Sequence, residues 1–293
     1  MDLKQLIILA AQVSVLCTVV GFGLKTTIDD LLSLRRHPGL LVRSVLAVFV
    51  IMPIVAVLLV RLFDFRRTVE VALVALAISP MPPLLPQRKT KAGGDTKYAL
   101  GLMAVLALLA IVVVPLALEI FERVFGRPVA GTPTIAVARL VLLTTLLPLA
   151  AGIVVRATMP RLAASIEKPI ALVAKVLLPL AIVALLVAAA PAMWALVGDG
   201  TLIAIVVFLA IGFASGHALG GPDPDHSVVL ALSTACRHPA IALTIAATTF
   251  PEERFGAAIL LYVLLGFVGG IPYLAWQRRR HARAAPPRTL QRT

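Results

Sequence analysis

Asparagine is absent from this chain, and charge is scarce: 14% of the residues are Asp, Glu, Lys or Arg, against about 25% in a soluble domain. Each of the 14 acidic residues falls in a loop or at the end of an apolar run, so the sequence places no carboxylate at membrane depth. With no intramembrane Asp, Glu or Asn to orient an imidazole, Cys236 or His238 lacks the third member of a nucleophile, base and orienter set. The two cysteines, Cys17 and Cys236, both lie inside apolar runs, which excludes a disulfide framework and a metal-ligand spacing and leaves them as small core residues. No phosphate-binding loop, HExxH or CxxC occurs. The expectation is a protein that is not an enzyme, with no cofactor and no bound metal.

What the chain has is apolar length. It is 60% hydrophobic with a mean hydropathy of +1.01, and uncharged runs such as 5–24, 98–118, 176–198 and 255–277 each supply about the 20 residues that cross the hydrocarbon core as helix. The first run exceeds the length of a signal-peptide core, and Gly23-Leu24-Lys25 offers no small-x-small cleavage site, so it counts as a span. The expected fold class is an all-α multi-pass membrane protein with nine transmembrane helices, at about 5–24, 39–60, 69–90, 98–118, 134–155, 169–190, 201–218, 227–250 and 255–276. The net charge of +13 does not point to nucleic acid, because the basic residues occupy short loops and the tail at Arg278, Arg279, Arg280, Arg283, Arg288 and Arg292. Seventeen Lys and Arg fall on the side of the C-terminus and eight on the other. The positive-inside rule then predicts a cell-membrane protein with its N-terminus outside and its C-terminus cytoplasmic, and the lipid bilayer as a partner.

An odd span count permits inverted repeats: residues 1–118 as a first repeat (spans one to four), 119–168 as a connector carrying span five, 169–276 as a second repeat (spans six to nine), and 277–293 as a basic cytoplasmic tail. The corresponding third members, spans three and eight, are the two most disrupted by proline. Pro80, Pro82, Pro83 and Pro86 remove four donors within seven residues, and Pro239 interrupts "CRHPA". Paired broken spans at matching positions point to a secondary transporter's midplane site. The plainer alternative is that span three simply ends at Ser79 and a loop follows. Pro53, Pro115, Pro148 and Pro179 read as ordinary kinks, which transmembrane helices tolerate.

Arg237 lies roughly 15–20 Å of helix from either interface, too far to snorkel, so it faces the bundle interior with partners. Lys175, about two turns from the end of its span, can reach out along its stem. With no carboxylate at depth, Arg237 is left with carbonyls freed by the proline breaks, with the hydroxyls of Ser79, Ser233 and Thr234, or with an anion carried by a substrate. A rivet between the broken spans and an anion site are both open. His238 reads equally as a satisfied core histidine or as a proton carrier. The candidate substrate-binding set is Arg237, His238, Ser233, Thr234, Ser79, Gln87, Arg88 and Lys89, with helix breaks at Pro80, Pro82, Pro83, Pro86 and Pro239.

Over nearly its whole length the chain resembles the bile acid:sodium symporter family. The likeness rests on "VGFGLK" and "RHPGLL" around the first loop, "FVIMPIVA" in span two, the stretch from Pro80 through "GGD" to Pro115, and "TIAATTF" closing span eight. The resemblance implies two discontinuous helices crossing in a core domain beside a smaller panel domain. It also implies sodium ligands, which are missing here. Leu85 and Pro86 stand where the family has Ser-Asn; Ala99 and Met103 stand where hydroxyl ligands recur; Ser233 and Arg237-His238 stand where it has Glu followed by Gln-Asn. A hard cation wants several oxygen ligands. The expectation is therefore a transporter of a small organic anion in which sodium is not the coupled ion and a proton is left open. The alternative is a non-transporting sensor or scaffold with Arg237 as a structural rivet.

Overall fold

A computed structural model describes residues 3–82, 95–126, 134–198, 200–249 and 255–284, and among them every regular element is helical. In chain order these are α1 (Leu3–Gly23), the short α2 (Ile28–Leu32), α3 (Pro38–Leu62), α4 (Arg67–Ile78), α5 (Thr96–Phe125), α6 (Ile135–Thr158), α7 (Pro160–Trp194), α8 (Thr201–Leu219), α9 (Pro224–Ala235), α10 (Pro239–Thr249) and α11 (Gly256–Ala284). Among the described residues eight segments are long and apolar enough to cross a membrane, with α9 and α10 counted together as Pro224–Thr249. The expected span at 69–90 is represented by α4, which stops at Ile78; its second half, with Pro83, Pro86, Gln87, Arg88 and Lys89, lies outside the described residues.

The helix starts follow local chemistry. Proline occupies the first turn of α3, α7 and α9, where its missing N–H is no loss. The Asp95 side chain accepts from the Lys97 N–H at 2.8 Å and caps α5, and Asp223 accepts from the Asp225 N–H at 2.8 Å and caps α9. Gly126, at φ 62°, ends α5 in the left-handed conformation that glycine adopts without strain.

Two sets of helices emerge. One comprises α1, α6 and α7, which pack on each other; the other comprises α3, α4, α5, α8, α9, α10 and α11, and the two meet where α6 touches α5 and α10 and where α7 touches α11. Burial separates inner from outer elements. Every residue of α4 from Val71 to Ile78, and of α9 from Ser227 to Ala235, is buried, whereas α7 buries only Ala163, Ala174, Ala181 and Met193. Helices α4 and α9 are thus the centre of the larger set, and α7 leaves most of its apolar side chains outside the core.

Loop ends are tied in two groups. The Lys25–Glu167 pair at 3.0 Å, the bond from Arg156 to the Leu24 carbonyl at 2.9 Å and the Lys97–Asp30 pair at 3.0 Å join chain ends on the face carrying most of the basic residues, hereafter the basic face. Arg66 bonds the Ala195 carbonyl at 2.9 Å, and Arg61 bonds the Val124 carbonyl, among the remaining loops.

Close backbone approach between α8 and α9 requires glycine. A Cβ on Gly216 would sit 2.6 Å from the Ala231 Cα, and one on Gly212 would sit 2.8 Å from the Ala235 Cα. Gly216→Ala should therefore push α9 away from α8 and lower the melting temperature of the purified protein, with overpacking of about 1–3 kcal/mol. Gly39→Ala, where a Cβ meets nothing within 4 Å, is the control that should leave the melting temperature unchanged.

Candidate functional site: three prolines and the donors that answer them

Proline removes the N–H that would satisfy the carbonyl four residues earlier. For Pro239 that carbonyl is Ala235, for Pro80 it is Leu76. In α3 the chain passes through a π turn at Ala47–Ile51 just before Pro53. In the i→i+5 pattern of a π turn the donor for the Val48 carbonyl is residue 53, and Pro53 has none to give. At the centre of the larger helix set the Val48 and Ala235 carbonyls thereby lose their backbone donor, and Leu76 loses its residue-80 donor and keeps a bond from the Ser79 N–H, where there is no water to replace what is lost.

Two side chains answer. Arg237, 1% exposed, donates from Nε to the Leu76 carbonyl at 3.0 Å and from Nη2 to the Val48 carbonyl at 2.8 Å and to the Ala77 carbonyl. The Tyr262 hydroxyl donates to the Ala235 carbonyl and accepts the Arg237 backbone N–H at 3.0 Å. The two breaks also meet directly, because the His238 N–H donates to the Pro80 carbonyl at 2.8 Å. Helix α4 closes with Ser79, whose N–H and hydroxyl both reach the Leu76 carbonyl, at 3.1 and 2.8 Å.

The structure brings together Arg237, His238, Ser79 and Pro80, and sets Ser233 and Thr234 one turn before the break, all buried. Ser233 donates to the Val229 carbonyl at 2.7 Å. Arg237 Nη1, His238 Nε2 and Thr234 Oγ1 are buried with no hydrogen-bond partner among the described residues. At the positions where sodium ligands were expected to be missing, Ala99 and Met103 are fully buried and supply no oxygen, while Leu85 and Pro86 lie outside the described residues. Among the described residues no group of three or more His, Cys, Asp or Glu could hold a metal ion.

Two participants escape a sequence reading. Pro53 reads as a kink, yet it supplies one of the carbonyls that hold Arg237. Tyr262 carries a signal of its own: it is one of three tyrosines, and a hydroxyl in the middle of an apolar span demands a partner.

A helical membrane protein in which the end of α4 touches the break between α9 and α10 is the class that this geometry defines. The chain belongs to the Sodium Bile acid symporter family, whose pattern it matches over residues 13–196. It is also 24% identical over 255 residues to the mouse protein named sodium/bile acid cotransporter 4; the match covers 84% of this chain, which spans 58% of that relative's length.

Tyr262→Phe should lower the melting temperature, since it strips a partner from the Ala235 carbonyl and from the Arg237 N–H, about 1–3 kcal/mol for each group left unpaired. In a Pro239→Ala background residue 239 regains an N–H for Ala235, so the same change should cost less there. Equal costs in the two backgrounds would show that the proline-orphaned carbonyl is not what Tyr262 serves.

Proposed function

We propose that the protein is a secondary transporter of a small organic anion, with Arg237 acting as a tethered cation at the point where the two broken spans meet. The observation carrying this reading is that the Arg237 guanidinium is bound by three backbone carbonyls of α3 and α4, the kind of oxygen cage that would otherwise suit a free cation. A charge attached to the chain occupies the break permanently, so it fixes the site electrostatically without leaving it, and sodium is not the coupled ion on this reading. The substrate-facing groups are the unpartnered Arg237 Nη1, His238 Nε2 and Thr234 Oγ1, with Ser79, Ser233, Gln87, Arg88 and Lys89 completing the proposed set. Family membership supports transport. The nine-span inverted repeat (1–118 and 169–276 about the connector 119–168) and the division into core and panel are supported by the two helix sets. The cytoplasmic C-terminus is supported by the distribution of basic residues over one face.

The same carbonyl bonds favour a second reading, a sensor or scaffold without flux in which Arg237 is only a rivet. Uptake of organic anions into proteoliposomes, with and without sodium and proton gradients, separates the two. We expect flux that does not follow the sodium gradient; a ligand that binds without net flux would establish the second reading, and sodium-driven uptake would remove the tethered-cation account. Reporter fusions at residue 293 should place the C-terminus in the cytoplasm, and an external C-terminus would overturn the orientation.

Arg237 itself is the sharpest probe. Arg237→Lys keeps the charge but loses the planar fork that spans carbonyls of two helices, so it should weaken anion binding and lower the melting temperature. Arg237→Gln should abolish anion binding and not create sodium dependence, because Ala99 and Met103 remain poor ligands. Folded variants that bind the anion normally would assign Arg237 to the rivet alone.

A further inference from the structure

A cavity of about 270 Å3 opens on the basic face, outside the break, and His226 lines it. His226 stands in the first turn of α9, with Nδ1 3.6 Å from Asp223 Oδ2 and Nε2 3.7 Å from Asp95 Oδ2. Neither aspartate is an idle surface acid. Asp95 caps α5 through its other oxygen, and Asp223 caps α9 in the same way. One imidazole ring therefore sits between the N-caps of two helices from different parts of the chain. A neutral imidazole has a single N–H and can donate to one of these carboxylates while turning a lone pair toward the other; an imidazolium has two and can donate to both.

We infer that His226 is a proton-operated clasp: protonated, it ties the start of α5 to the start of α9, and neutral, it holds only one of them. Other charged groups around the ring are committed elsewhere or offer no bridge. On α5, Lys97 is paired with Asp30 at 3.0 Å, and the Tyr98 ring stands edge-on to His226 at 5.0 Å with its hydroxyl on Ser44 at 2.7 Å. On α2, the Asp30 carboxyl is held below its ordinary range chiefly by the Thr27 backbone N–H, and also by the Thr27 hydroxyl and Lys97, so it stays charged and bound to them; Asp29 also lines the cavity. Ahead of α3, the His37 ring lies 6.3 Å away, centre to centre, and Arg36 lines the cavity too. Asp225, next to His226 on α9, follows the capping aspartate. The clasp acts on the end of α9 opposite the break, so its closure anchors the helix that leads into the break holding Arg237.

The direction with pH follows from the binding partner. The bridging form is the protonated one, so the tie is present at the lower pH and absent at the higher. The inference does not rest on the transport reading, and its test does not use flux. Hydrogen exchange of the full-length purified protein is measured at about pH 5.5 and about pH 8, on either side of the usual imidazole range, with correction for intrinsic exchange. Amides of residues 97–100 and 227–230 should be about two- to fivefold more protected at the lower pH, the scale of a partly exposed ion pair. His226→Gln should abolish that difference. Asp95→Asn and Asp223→Asn keep the caps, since Asn caps as well as Asp, and each should flatten the response by removing one arm. His37→Gln should leave it intact. Equal protection of the wild type at both pH values, survival of the response in His226→Gln, or its loss in His37→Gln would each overturn the clasp.

Discussion

A backbone carbonyl that has lost its donor inside a membrane must find another donor in the protein, and the centre of this molecule is organised by that requirement. Pro53, Pro80 and Pro239 withdraw donors from Val48, Leu76 and Ala235, and the guanidinium of Arg237 and the hydroxyl of Tyr262 meet these carbonyls, beside Ser79 on Leu76. None of the five groups makes sense alone. A buried guanidinium without acceptors would be expensive, and so would the carbonyls without it. Together they hold α3, α4, α9 and α11 in one hydrogen-bonded unit. Ordinary helix packing need supply only the rest: apolar burial of α4 and α9, and the close approach of α8 to α9 over Gly212 and Gly216.

The choice of arginine over a diffusible cation has a physical consequence. A free ion in a carbonyl cage can leave, and its departure changes the charge and the geometry of the break at once. A guanidinium at the end of a side chain changes neither. It also has directional donors, and Nε and Nη2 already commit it to carbonyls on two helices, so little of the fork is left to grip anything else. On the proposed transport reading the anion would use what remains unpartnered, Arg237 Nη1, His238 Nε2 and Thr234 Oγ1. Those atoms are recessed in the bundle, which suits a small or slender anionic group better than a broad one.

Much of this was legible in the sequence, and the reasons are specific. Apolar length gave the spans, and proline density singled out spans three and eight. The absence of any intramembrane carboxylate narrowed the partners of Arg237 to carbonyls, hydroxyls or a brought anion, and carbonyls are what α3 and α4 provide. The role of Pro53 was hidden because a lone proline in a transmembrane helix is ordinary; only the π turn before it exposes the Val48 carbonyl, and register at that level is a tertiary outcome. His226 escaped notice for a different reason. Its two aspartates lie 131 and three positions away, each readable as a helix cap, and nothing in a linear pattern says that two caps share one ring.

These ties constrain how the molecule can rearrange. Pulling Arg237 away from α3 and α4 would strand the Val48 and Ala77 carbonyls together with a buried charge, and leave Leu76 to Ser79 alone, at about 1–3 kcal/mol for each group left unsatisfied, so these elements should travel as one body with α11. The buried bonds that define this body all lie within the larger helix set. Contacts between the sets, α6 with α5 and α10 and α7 with α11, involve largely apolar helices, and the bond from Arg66 to the Ala195 carbonyl that also joins them is exposed, so sliding would hand its groups to water rather than bury them unpaired. Relative motion is therefore cheapest between the sets. Within the larger set, the proposed clasp at His226 adds a tie at the start of α9, while the Arg237 bonds hold the break beyond its other end.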